Sequence, residues 1–202
     1  WWSQGHFVAV AVNISARDLL DIDLPDEVVC ALEKAGLPPS ALVLEITETA
    51  VMADFDRDDA VIRRLSEAGV VVSIDDFGTG FSSLAYLSSL SVGELKLDRM
   101  FTARLVSEVG NGRDHAIVRS AVELGHSLGL RVVAEGVEKP ELVDDLLAMG
   151  CDLAQGYAIA MPQPASAIDL DAFGKEAPDN FLRSSRPVSD AHGFERHPAN
   201  HG

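Results

Sequence analysis

Side chains able to hold a cation or move a proton recur in this chain at the ends of short apolar runs. Asn13 follows Val8-Ala9-Val10-Ala11-Val12, and Glu45 stands inside Leu42-Val43-Leu44-Glu45-Ile46-Thr47. Asp75-Asp76 closes Val70-Val71-Val72-Ser73-Ile74; Lys96 and Asp98 lie in Glu94-Leu95-Lys96-Leu97-Asp98. Glu135 ends Arg131-Val132-Val133-Ala134, and Gln155 follows Leu153-Ala154. A carboxylate inside an apolar strand is costly without a partner, so Glu45 calls for a cation, a metal or a hydrogen bond, an arginine salt bridge being the plain structural alternative. The adjacent carboxylates of Asp75-Asp76 repel one another and are best reconciled by a divalent metal, since helix capping uses only one of them. Asn13, Glu45 and Asp75 together offer hard oxygen ligands, which suit Mg2+ or Mn2+ rather than Zn2+. Lys96, one of four lysines, can pair with Asp98 or hold a water or phosphate oxygen in an acidic site. Glu135 is a candidate second-metal ligand or general base. Gln155 can contact a ligand through either end of its amide.

These residues need elements to position them. Six apolar runs predict strands at residues 7–15, 42–47, 70–75, 94–98, 131–135 and, more weakly, 153–157. Between them, apolar residues three and four apart predict amphipathic helices, as in Val28-Val29-Leu32, Ile62-Leu65 and Leu142-Leu146-Leu147. Gly36, Gly69, Gly129 and Gly150 mark helix ends, and Pro25 and Pro140 mark helix starts. Alternating apolar strands and helices make an α/β fold with a parallel sheet. A doubly wound sheet binds its ligand at one switch point, whereas a barrel gathers every strand end around one mouth. A polar residue at the end of every strand therefore selects a (β/α)8 TIM-like barrel. Six units at about 29 residues each fall short of the roughly 250 residues of such a barrel, so two further units are expected upstream of Trp1.

Composition narrows the function. The chain has 202 residues, 47% hydrophobic and 24% charged, with a net charge of −16. No apolar run approaches the roughly 18 residues of a membrane span, and Trp1-Trp2-Ser3-Gln4-Gly5-His6 lacks the features of a signal peptide. The acidic balance disfavours nucleic acid, whose phosphates need Lys and Arg. Cys30 and Cys151 are expected as small core residues rather than a bridge. Residues 174–202 hold four basic and four acidic residues, so the net charge falls entirely on residues 1–173. That last segment, rich in Pro, Ser, Asn, His and Gly, is expected to be a disordered tail; His192, His197 and His201 could bind a metal, but their irregular spacing favours a solvated tail.

Three local matches are rejected. Asp76-Phe77-Gly78 matches the kinase metal-binding tripeptide, but no His-Arg-Asp catalytic loop accompanies it. Gly78-Thr79-Gly80 lacks the third glycine of a dinucleotide fingerprint. Asn13-Ile14-Ser15 fits a glycosylation acceptor but lies on an apolar strand. The residues alone therefore reach a metal-dependent barrel enzyme. Two-metal phosphoester hydrolysis is the natural chemistry for so acidic a site, and metal-assisted enolisation is its competitor.

Six motifs in order carry a resemblance: Asn13-Ile14-Ser15, Glu45-Ile46-Thr47-Glu48, Asp75-Asp76-Phe77-Gly78-Thr79-Gly80 with Ser82-Ser83-Leu84, Lys96-Leu97-Asp98, Ala134-Glu135-Gly136-Val137-Glu138 and Gln155-Gly156-Tyr157. Together they resemble the EAL-domain family of cyclic di-GMP phosphodiesterases, over Trp1 to about Phe173. The resemblance implies hydrolysis of cyclic di-GMP to linear 5′-pGpG with two Mg2+ or Mn2+ ions. It implies that Asn13, Glu45 and Asp75 bind the first metal and that Asp75 bridges to a second, joined by Asp76. Lys96 then orients the attacking water, Glu135 supports metal binding or proton transfer, and Gln155 and Asp98 face the substrate. Glu48 anchors the loop Asp76–Ser83, with Phe77, Gly78, Thr79 and Gly80, which couples homodimer formation to the site. The family's Glu-Ala-Leu segment and its following Arg are absent from these 202 residues. Open sheet edges and an incomplete metal shell are therefore expected, with activity belonging to a larger parent domain. Sensory or cyclase domains are expected upstream, and the location is expected to be cytoplasmic. The alternative function is a catalytically inactive cyclic di-GMP-binding or protein-interaction module.

Overall fold

The computed structural model describes residues 1–51, 55–79, 84–105 and 112–170. The expected tail, residues 174–202, lies outside the described residues, as do Gly80, Phe81, Ser82 and Ser83. Six strands are present: β1 (Val10–Ile14), β2 (Leu42–Thr47), β3 (Val71–Phe77), β4 (Glu94–Leu97), β5 (Arg131–Ala134) and β6 (Leu153–Ala154). Helices α1 (Leu24–Ala35), α2 (Glu48–Val51), α3 (Phe55–Glu67), α4 (Leu84–Leu87), α5 (Arg99–Leu105), α6 (Gly112–Ser127) and α7 (Glu141–Ala148) connect them. All strand pairs are parallel, and the order across the sheet is the order along the chain. A doubly wound sheet reverses that order at its switch point; this one never does, so it curves as a half-barrel.

Period-two alternation divides the strand residues between two environments. Leu44, Ile46, Val72, Ile74, Leu95, Leu97, Val132 and Ala134 join the apolar core with Ile62 and Leu65 of α3, Val118 and Val122 of α6, and Leu142 and Leu146 of α7. The intervening positions face inward: Asn13, Glu45, Ser73, Asp75, Glu94, Lys96 and Arg131, together with the apolar Val43 and Val133. Proline starts α1, and Gly36 ends it in the left-handed conformation at φ 66°.

The strand bounds differ from expectation where support is missing. Residues 7–9 do not extend β1, an edge strand whose Val10 and Val12 are 48% and 43% exposed. At the opposite edge the expected strand over 153–157 stops at Ala154, and Leu153 is 43% exposed. Conversely, β3 runs on to Phe77 through a register shift between Ile74 and Phe77. Cys151 is buried as expected, but Cys30 is exposed, because it sits on the side of α1 away from buried Leu32. Both thiols are free. Among the described residues no helix is long and apolar enough to cross a membrane.

Candidate active site

The site is built around one ammonium. Lys96, on the inner face of β4 and 3% exposed, places Nζ 2.8 Å from Glu45 Oε1, 3.2 Å from Asp75 Oδ1 and 2.5 Å from Glu135 Oε1. Sheet register explains the convergence. Asn13 lies beside Glu45, Glu45 beside Ser73, and Asp75 two residues beyond Ser73 on the same face. Lys96 sits opposite Val133, two residues before Glu135. The cation that Glu45 requires is thus this lysine, not an arginine, and Lys96 spends its charge on three carboxylates other than Asp98.

Burial works against a charged Lys96, but the hydrogen bonds it donates to Glu135 and Glu45 outweigh that and raise its pKa above the ordinary lysine value. Glu135 shows the reverse balance: burial raises its pKa above the ordinary carboxylate value despite the pull of Lys96. Lys96 therefore serves as a fixed charge and hydrogen-bond donor, while Glu135 is the group better suited to take up a proton.

Two sequence-adjacent carboxylates reach one mouth through a local break in the pleat. In a regular strand Asp75 and Asp76 point to opposite faces. Here the strand bulges between Ile74 and Phe77, and Asp76 adopts a positive φ of 57°. As a result, one carboxylate oxygen each from Asp75, Asp76 and Glu135 lie within 4.8 Å of one another. Burial, then the charges of Asp75 and Asp98, raise the pKa of Asp76. Asp98 also accepts a hydrogen bond from the Met100 N–H at 2.8 Å, opening α5. A set of hard oxygens at this spacing, holding repulsive charge, fits a hard divalent cation.

Glu48, buried at the start of α2, accepts a hydrogen bond from the Gly78 N–H at 3.0 Å. Thr79 Oγ1 donates to the Asp76 carbonyl at 2.9 Å. Phe77 is buried, and Gly78 has φ +95°, where an added Cβ would lie 2.4 Å from Phe101 Cζ. Asn13 neighbours Glu45 but is exposed on edge strand β1. Gln155 is likewise exposed and joins the assembly through its backbone, accepting from Val137 N and donating to Ala134 O. One inward pair has no counterpart in the sequence reading: Arg131 Nε donates to Glu94 Oε2 at 2.9 Å, one layer below Lys96. Its available signal was opposite charge at the first residues of two apolar strands.

An acidic, cation-compatible mouth on a singly wound parallel sheet defines a barrel-type α/β domain. The EAL domain profile matches residues 1–162, and the chain belongs to the EAL domain family. It is 43% identical over 169 residues to the bifunctional diguanylate cyclase/cyclic di-GMP phosphodiesterase MucR of Pseudomonas aeruginosa, covering 83% of this chain and 24% of that protein. The solved structure of the PaMucR phosphodiesterase in complex with c-di-GMP superposes with a TM-score of 0.74 at 42% identity, covering 82% of this chain and 66% of that one. A manganese/cy-diGMP complex of Klebsiella pneumoniae BlrP1 gives a TM-score of 0.66 at 34% identity, covering 74% and 38%. The chain spans about a fifth to a quarter of the length of the curated relatives it matches first.

Proposed function

We propose that this chain forms the greater part of a cyclic di-GMP phosphodiesterase site, producing linear 5′-pGpG. The carrying observation is the meeting of Glu45, Asp75 and Glu135 on Lys96 beside Asp76, in a domain whose relatives bind or hydrolyse cyclic di-GMP. Asn13, Glu45, Asp75 and Asp76 would hold two divalent cations, Mg2+ or Mn2+, which supply Lewis-acid charge next to the phosphate. Lys96 holds the attacking water by donating from its ammonium, and Glu135 takes the proton as that water attacks phosphorus. The P–O3′ bond breaks, the 3′ oxygen takes up a proton, and the phosphate stays on the 5′ side. Gln155 and Asp98 face the substrate from the rim. Glu48 holds the loop that starts at Asp76, and this loop region carries a homodimer contact. Upstream sensory or cyclase domains, a cytoplasmic location and a tail from residue 174 complete the reading.

The test is incubation of the full-length protein with cyclic di-GMP and Mg2+ or Mn2+, followed by chromatography of the products. Formation of 5′-pGpG that stops with EDTA is the expected result. Binding in calorimetry without turnover would replace the enzyme with a receptor, and neither would leave an interaction module.

A further inference from the structure

Helix α5 carries a hydroxyl that the mechanism above leaves unused. Thr102 is 0% exposed, and its Oγ1 lies 2.6 Å from the Glu135 carbonyl, 2.9 Å from the Arg99 carbonyl and 3.4 Å from the Gly136 carbonyl. A hydroxyl has a single proton, so three carbonyls compete for it. Bonding back to Arg99 is what any helical threonine can do, yet the shortest of the three contacts crosses to Glu135.

Other contacts tighten the same clasp. The Glu135 N–H donates to Leu97 O at 3.1 Å, so its backbone is held on one side by the end of β4 and on the other by α5. Gly136 follows at φ +64°, where an added Cβ would lie 2.4 Å from Arg99 Cβ, leaving room for glycine alone. The same helix brings Phe101 against Gly78, so α5 touches both loops that deliver carboxylates to the mouth.

We infer that Thr102 is a positioning residue, whose hydroxyl fixes the Glu135 backbone so that its carboxylate stays on Lys96 and on the reacting water. The activity part of this inference rests on the proposed hydrolase reading; the structural part does not. A side chain rooted on a shifted carbonyl loses alignment more than substrate affinity, so the effect falls on kcat.

The experiment compares Thr102→Val, which keeps shape and loses the hydroxyl, with Thr102→Ser, which keeps it, in the full-length protein. Turnover of cyclic di-GMP with Mg2+ and amide hydrogen exchange of residues 135–137 are both measured. For Thr102→Val we expect kcat about tenfold lower with KM within about twofold, and exchange at least about tenfold faster, with Thr102→Ser restoring both. Equal losses in the two variants would assign the effect to packing and overturn the inference. So would a change confined to KM, or faster exchange with unchanged kcat. If the unaltered protein turns over no substrate, the hydrolase reading fails by itself. Exchange then decides: faster in Thr102→Val alone upholds the clasp, and unchanged exchange removes it.

Discussion

Glu45, Asp75 and Glu135 on the inner strands, and Asn13 and Gln155 at the two edges, occupy comparable places at strand ends, yet the chain treats them differently. The inner three are drawn onto one buried ammonium at 2.5–3.2 Å. The edge pair is exposed, and Gln155 is fixed by its backbone alone. A charged group flanked by two strands finds its counter-charge within the sheet, because it is largely withdrawn from water: these three side chains are 10–18% exposed. A neutral amide at an edge has water for a partner and can wait for a ligand. The comparison teaches that the centre of this site is preorganised by the fold, whereas its rim depends on what comes to lie against it.

The sharpest way to break that contrast is by activity. Replacing Glu45 or Asp75 with Ala abolishes metal-dependent hydrolysis in the full-length protein, whereas Asn13→Ala leaves turnover measurable, as followed by product chromatography. Equal loss in all three would erase the distinction between centre and edge, and unchanged turnover in Glu45→Ala or Asp75→Ala would remove them as ligands.

A second effect reads stability. Lys96→Met strips the shared cation from three carboxylates and costs about 3–5 kcal/mol at neutral pH, the usual penalty for orphaning a buried charge. Without Lys96 nothing offsets the burial that already raises the pKa of Glu135 above the ordinary carboxylate value. The folded form then binds more protons, so this stability is present at low pH and lost as pH rises through the folded values. Urea titrations of both proteins at about pH 5 and pH 8 check this; a deficit that is the same at both values contradicts it.

The smallest effect needs only a thiol reagent. Burial pushes the Cys151 thiol up to about 11, while Cys30 is exposed on α1. One thiol per chain therefore reacts at pH 8, and the second reacts only in denaturant. Two fast-reacting thiols in the native protein would show that the region beneath β6 opens readily.

The fold was legible because its inner strands are buried on both faces and read as unbroken apolar runs, punctuated by glycines at helix ends. β2 has the expected bounds, and β4 and β5 stop one residue short of theirs. Edge strands escaped this reading, since β1 and β6 each pair with one neighbour only, and their exposed residues do not show in the apolar pattern where pairing stops. Residues of the site were legible one by one, through carboxylates out of place in apolar surroundings. Which of them pair was not: Lys96 is nearest in sequence to Asp98, but alternation and register turn it toward Glu45 and Glu135. Nor does any periodicity announce the bulge that brings Asp75 and Asp76 together, or the Glu94–Arg131 pair below them. Cys30 was misplaced because helical apolar spacing marks a stripe, and a cysteine beside the stripe looks much like one within it.

The bulge at Asp76 has an evolutionary corollary. At φ 57° and close to two other acids, this residue is uncomfortable in both backbone and charge. Asp76→Gly would relieve the backbone by roughly 1–2 kcal/mol and the crowding of charge besides. A lineage screened for heat resistance alone would discard this aspartate early, and a thermostable descendant bearing glycine there would advertise that it had stopped being asked to do chemistry.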